Sequence, residues 1–269
     1  MIRPKLDQPR GVLNHRGEGP VGNHGRYWPS ADLAPFVEHY WTVEWDVAEP
    51  RLAETLPHPS VHLVLERGQA QLAGLATRRF TRVLEGRGRV VSAKFRPGGF
   101  KPFLQEAVSS LTDRVVPLTA VFGESAADLA QRVLAQREPQ AAIGLLEAFL
   151  RERRPEPDAQ AELAGRIVAR IADDRDITRV EQVAESFDLN LRRLQRLFND
   201  CVGVSPKWVI QRYRLHEAAE RLAAEPEVDC AGLALELGYA DQAHFIRDFK
   251  QLVGRSPAEY ARDVRAGAS

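Results

Sequence analysis

The feature that most constrains what this chain can fold into is a motif written twice. Leu194-Gln195-Arg196-Leu197-Phe198 precedes Val202-Gly203-Val204-Ser205-Pro206, and Phe245-Ile246-Arg247-Asp248-Phe249 precedes Val253-Gly254-Arg255-Ser256-Pro257. Arg196 and Arg247, Phe198 and Phe249, Gly203 and Gly254, and Pro206 and Pro257 all lie fifty-one positions apart. A fixed offset over that many positions means one supersecondary unit used twice.

Each copy has the local chemistry of helix, tight turn, helix. In the first, Thr178 and Glu181 form a capping-box pattern ahead of Val180, Val183 and Ala184; Phe187-Asp188-Leu189 makes the turn, and Asn190 caps the next helix. In the second, Asp229 caps a helix carrying Leu233, Ala234 and Leu237, Gly238 ends it, and Asp241 caps its successor. Ser205-Pro206 and Ser256-Pro257 each place an N-cap before a proline at the first helical position. The helix that Ser205-Pro206 opens runs to about Ala223 and would set the distance and angle between the copies.

In a helix-turn-helix the second helix enters the major groove of DNA, and its first residues meet base edges. Here those helices begin at Asn190 and Asp241. Leu194, Leu197 and Phe198 fall on an inward stripe, which leaves Arg192, Gln195 and Arg196 outward; Phe245, Phe249 and Leu252 do the same for Gln242, His244 and Arg247. Arginine pairs with guanine and glutamine with adenine. Asn190, Arg193, Lys207 and Lys250 are placed to meet phosphates. The alternative is that these polar residues only solvate a helix face. Net charge is zero, and from Ala161 onward sixteen Lys/Arg face eighteen Asp/Glu. Between Asn190 and Arg221, however, seven cations face three anions. That local excess predicts one oriented basic face instead of a general nucleic-acid coat.

Residues from about 160 to 265 resemble the DNA-binding domain of the AraC/XylS family of bacterial transcription regulators. The carrying segments are Leu194 to Phe198, Ala234-Leu235-Glu236-Leu237-Gly238-Tyr239, Asp241 to Lys250, and Gly254 to Pro257. The resemblance implies seven helices, with recognition helices in successive major grooves roughly 34 Å apart. By position it assigns base reading to Arg192, Gln195, Arg196, Gln242, His244 and Arg247. It also implies double-stranded DNA, RNA polymerase and a second copy of the chain as partners, and activation by family habit. Where the family usually has glycine this chain has Asp188, so the first turn departs from the pattern.

The N-terminal half reads differently. Val37, His39, Trp41, Val43, Trp45 and Val47 recur with period two, as do Val61, Leu63 and Leu65 and also Val91, Ala93 and Phe95. Pro57-His58-Pro59, Arg67-Gly68 and Glu85-Gly86-Arg87-Gly88 punctuate these strands. Leu129, Val133 and Leu134, then Ile143, Leu146 and Leu150, recur at helical spacing around Glu138-Pro139. The expected fold is α+β with two domains. Residues 1–29 form a flexible arm, and Ser30 caps a short helix that follows it. Residues 30–151 form a small antiparallel β barrel or sandwich with a helical hairpin, cupin-like by the resemblance. Residues 152–158 are a linker, and 159–269 an all-α double helix-turn-helix domain.

Trp41, Trp45 and His62 are the candidate ligand-binding residues, for a small-molecule effector; ordinary sandwich core explains the tryptophans equally. Gly98-Gly99 between Arg96 and Lys101 resembles a motif of an uncharacterised branch of the family. It reads either as an anion cradle or as a tight turn. The hairpin at 126–150 reads either as a dimerisation element or as a cover for the sheet. No metal site or cofactor is legible: His58 and His62 are four apart with no third ligand at a recognisable interval. No catalytic constellation is legible either, although an enzyme-like or purely dimerising N-terminal domain is the alternative to an effector domain. The two cysteines, Cys201 and Cys230, fall outside the N-terminal half, which excludes the cysteine cluster of the family's alkylation sensors. No apolar run is long enough to span a membrane and the N-terminus is unlike a signal peptide, so the expected location is cytoplasmic.

Overall fold

The structure is a computed structural model that describes residues 12–13, 22–224 and 229–268. The first half is a seven-stranded antiparallel sheet of β1 (Val12–Leu13), β2 (Asn23–Tyr27), β3 (Val37–Thr55), β4 (His62–Glu66), β5 (Gln69–Ala73), β6 (Phe80–Phe95) and β7 (Val115–Pro117). The long strands β3 and β6 pair with each other; β4, β5 and β7 follow beyond β6, and β1 and β2 both pair with β3. Arg67 and Gly68 join β4 to β5 with φ of 48° and 75°, the two-residue turn whose twist suits a hairpin.

Three N-terminal expectations change. Residues 1–11 and 14–21 of the expected arm lie outside the described residues, but Asn23–Tyr27 is a strand on β3, with Tyr27 buried in the core. Its composition, Asn-His-Gly-Arg-Tyr, carries no apolar alternation and so reads as loop. Residues 31–36 make two successive turns, closed on the Ser30 and then the Leu33 carbonyl, instead of a capped helix. The third change concerns which face of β3 is inward. A register shift between Val37 and His39 leaves Val37 and Tyr40 in the main core. Trp41, Val43, Trp45 and Val47 line the opposite face with Leu84 and Val90. A one-residue slip exchanges the faces of a strand, and period-two reading cannot see it.

After α1 (Thr119–Phe122), the expected hairpin is α2 (Leu129–Leu134) and α3 (Pro139–Glu152). Leu129, Ala130 and Val133 of α2 and Ile143, Leu146, Phe149 and Leu150 of α3 are buried in the main core with Leu63, Leu72 and Phe95 of the sheet. The hairpin therefore covers the sheet. Gly98 turns at φ 83°, and the chain packs so closely that a Cβ there would meet the Ala161 carbonyl and one on Gly99 the Phe36 carbonyl. Arg96 donates to the Ala34 carbonyl, and Lys101 to the Glu106 carbonyl. A tight turn under close backbone approach accounts for both glycines, and their flanking cations are occupied elsewhere.

The second half is all helix: α4 (Ala159–Asp173), α5 (Val180–Ser186), α6 (Leu191–Cys201), α7 (Pro206–Ala224), α8 (Cys230–Glu236), α9 (Gln242–Val253) and α10 (Pro257–Ala268). Two cores divide it. α4, α5, α6 and the start of α7 enclose Ile167, Val183, Leu194, Phe198, Val209 and Ile210. The rest of α7 with α8, α9 and α10 encloses Leu215, Leu222, Leu233, Phe245 and Phe249. One helix thus contributes to both. Near its middle Arg214, 2% exposed, donates to Glu217 and to the carbonyls of Ile171 and Asp174 at the end of α4. Glu217 also takes Arg221, which reaches Glu236 on α8.

Candidate nucleic-acid interface

The two helix-turn-helix units are built by the same local devices. Asn190 accepts from the Arg193 N–H and Asp241 from the His244 N–H, each satisfying a donor that the first turn of a helix leaves without a partner. Asp229 caps α8 through Ala231 and Gly232. The cap of α5 differs from the expected pair: Gln182, not Glu181, accepts from the N–H groups of Thr178 and Arg179. In the turns, the N–H of Leu189 donates to the Ala184 carbonyl and that of Tyr239 to the Ala234 carbonyl. Asp188, φ 51°, occupies the left-handed conformation that Gly238, φ 79°, takes in the second unit. The departure at Asp188 changes the residue and keeps the turn, since a short polar side chain tolerates this region.

These turns fix what α6 and α9 present. Leu194, Leu197 and Phe198 are buried, whereas Arg192, Arg193, Gln195 and Arg196 are exposed along α6. On α9, Phe245, Phe249 and Leu252 are buried, and Gln242, Arg247 and Lys250 are exposed. His244 is partly held: its side chain is 42% exposed, 3.4 Å from Asp248 and edge-on to the Tyr239 ring. Asn190 and Lys207 are exposed as well. Among the described residues Arg192, Arg193, Arg196, Lys207 and Arg247 have no ion-pair partner, so their charges are directed to solvent.

Of the seven cations from Asn190 to Arg221, Arg212, Arg214 and Arg221 are held inside the protein or in ion pairs. Arg212 and Arg214 are buried; Arg212 donates to the Thr77 carbonyl and stacks over Trp208, and Arg214 holds Glu217. Arg221 is paired with Glu217 and Glu236. The cations left to form a face are Arg192, Arg193, Arg196 and Lys207, a narrower patch than the sequence count suggested. Arg179, the N-cap residue of α5, is exposed as well and was not among the expected residues.

The candidate ligand residues separate. Trp41 Nε1 lies 3.4 Å from His62 Nδ1, and Lys94 stands opposite both His39 and His62 in the sheet. Lys94 pairs with Glu38 at 3.0 Å, and Glu38 is 3.3 Å from His39. Burial, then the charge of Lys94, holds the His62 imidazolium back to about 3. Trp45 lies further along the same face, 3% exposed against Leu84 and Val90, its Nε1 donating to the Glu85 carbonyl. Trp41 and His62 form one group; Trp45 is packing. His58 does not join them: its ring meets His216 on α7 at 4.8 Å.

Residues 183–263 match a helix-turn-helix domain, and residues 25–117 match a domain of unknown function (DUF6597). An uncharacterized HTH-type transcriptional regulator of Haemophilus influenzae is 30% identical over 98 residues, which is 36% of this chain and 33% of that protein. The HTH-type transcriptional activator RhaS of Escherichia coli is 34% identical over 87 residues, 32% of this chain and 30% of that protein. The chain thus spans about a third of the length of the curated relatives it matches. Among solved structures, the C-terminal domain of AraT, a response regulator from Geobacillus stearothermophilus, is similar to 36% of this chain and covers 81% of its own, at 28% identity and TM-score 0.33. ToxT from Vibrio cholerae is similar to 83% of this chain over 98% of its own, at 11% identity and TM-score 0.40.

Proposed function

From a chain whose C-terminal domain is of the AraC/XylS helix-turn-helix kind, we propose a sequence-specific DNA-binding transcription regulator that reads two successive major grooves. The observation that carries this is the pairing of two capped helices, each with its apolar stripe buried and its arginine and glutamine side chains turned out. Arg192, Gln195 and Arg196 read one groove and Gln242, His244 and Arg247 the other, with Asn190, Arg193, Lys207 and Lys250 on phosphates. On this reading residues 30–151 are the effector or dimerisation domain, 152–158 the linker, and 159–269 the DNA-binding domain. The family resemblance supports activation through RNA polymerase, a homodimer and a cytoplasmic setting; among the described residues no helix is long and apolar enough to cross a membrane. We assign the small-molecule effector to Trp41 and His62, whose Nε1 and Nδ1 lie 3.4 Å apart, with Lys94 opposite His62 in the sheet.

The test uses a duplex selected by the full chain from random sequence. Arg196→Ala and Arg247→Ala are each expected to cost about 1–3 kcal/mol on that duplex and little on random DNA. Fluorescence anisotropy on both duplexes checks this; equal losses on the two contradict base reading.

A further inference from the structure

The sheet domain touches both helix-turn-helix units, and it does so at the same turn of the repeat. In the first unit Thr112 Oγ1 donates to the Gly203 carbonyl at 2.7 Å, and Lys101 Nζ lies 3.1 Å from Asp200. In the second, Arg79 Nη1 reaches the Val253 carbonyl at 3.4 Å and Glu54 at 2.6 Å, and Arg255 stands 3.8 Å from the other oxygen of Glu54. Gly203 and Gly254 are the equivalent glycines that close α6 and α9, at φ 97° and 83°. Both seats are fitted. A Cβ on Gly203 would press on Thr112 and Val108, and one on Gly254 would land on the Arg79 guanidinium.

Apolar contacts follow the same pattern. Leu75 is buried in the core of the first unit and Leu56 in that of the second. Between them Arg212 of α7 donates to the Thr77 carbonyl. The Glu54 side chain is 1% exposed, and a carboxylate is buried this deeply only when cations hold it. Here one cation comes from each domain. The contacts to Asp200, Gly203, Val253 and Arg255 fall at or just beyond the C-terminal ends of α6 and α9, while the N-terminal turns carry Arg192 and Gln242.

We propose that Glu54, Arg79 and Thr112 are positioning residues that make the sheet domain a brace across the two reading helices. The brace sets the separation and angle of the heads, and so the half-site spacing that the chain accepts. A single shared helix, α7, leaves one axis about which two units can turn; a second connection through the sheet removes it. The proposal rests on the DNA-reading assignment above for its consequence on DNA, and on the contacts alone for the geometry of the heads.

The experiment separates the two. Full-length protein with Cys201→Ala and Cys230→Ser is spin-labelled at Glu185→Cys on α5 and Gln251→Cys on α9, both exposed. Distances are measured without DNA by double electron–electron resonance. One narrow distribution is expected, broadened by Thr112→Val with Arg79→Ala. Thr112→Val alone, which removes only a hydroxyl, should broaden it less, and circular dichroism confirms that each variant is folded. On selected duplexes with zero, one or two base pairs added between half-sites, the braced protein should prefer its native spacing by about tenfold or more, and the double variant should lose most of that preference. An unchanged distance distribution in the folded double variant overturns the proposal, as does an equal rise in affinity at every spacing. Failure of the braced protein to bind any selected duplex, with the distances behaving as expected, sinks the DNA assignment and leaves the brace standing.

Discussion

An arginine on α6 and one on α7 differ only in where their helix turns them. Arg196 is exposed; Arg214 is 2% exposed and saturated by Glu217 and two carbonyls. Helical periodicity made the first legible in the sequence. The second was read as part of a basic face because nothing local marks a buried guanidinium. The histidines make a prediction at this scale. His62 is held to about 3 and His216, buried against His58, well below its ordinary range. A base with a depressed folded pKa contributes nothing at neutral pH, where both states are uncharged. Below 6.5 the unfolded chain takes up protons that the folded chain refuses, so stability falls as pH falls toward the folded values. Glu38, kept ionised by His39 and Lys94 against its burial, adds its own loss only below its ordinary 4.5. Between pH 6.5 and about 5 the melting temperature should therefore drop, and His62→Gln with His216→Gln should flatten that drop. A flat wild-type profile across this window contradicts the assignment.

At the scale of elements, the helix ends were the most legible part of the chain. Caps are local, so Asp229, Asn190, Asp241 and the two Ser-Pro starts could be read directly, and the backbone N–H groups of Trp208 and Glu259 donate to the Ser205 and Ser256 hydroxyl oxygens as expected. The error at α5 is one residue, Gln182 in place of Glu181. Strand β3 was less legible because its faces depend on a register shift set by β6, a partner far away in sequence. The network inside α7 was invisible for the same reason. Glu217 there neutralises Arg214 while holding Arg221, and removing it leaves a buried guanidinium with carbonyls alone. Glu217→Ala should cost about 3 kcal/mol, as losing one partner of a buried pair does. Urea unfolding monitored by circular dichroism checks it; a cost below about 1 kcal/mol would mean that Arg214 relaxes into solvent.

For the whole molecule, the repeat carried more information than composition did. Zero net charge gave no sign of a DNA partner, and the fold explains why a local face suffices: Arg192, Arg193 and Arg196 on α6, Lys207, and Arg247 and Lys250 on α9 are exposed, while Arg212, Arg214 and Arg221 tie elements together. What the sequence could not supply was the meeting of the two domains, since Thr112, Arg79 and Glu54 carry no pattern linking them to the glycines they serve. The central claim is that α6 and α9 of one chain read consecutive turns of one duplex. Hydroxyl-radical footprinting of the full chain on its selected duplex tests this most directly. The expected result is two protected patches on the same face, their centres about 10–10.5 base pairs apart, with Arg196→Ala weakening one and Arg247→Ala the other. A single patch, or two patches on opposite faces of the duplex, would contradict it.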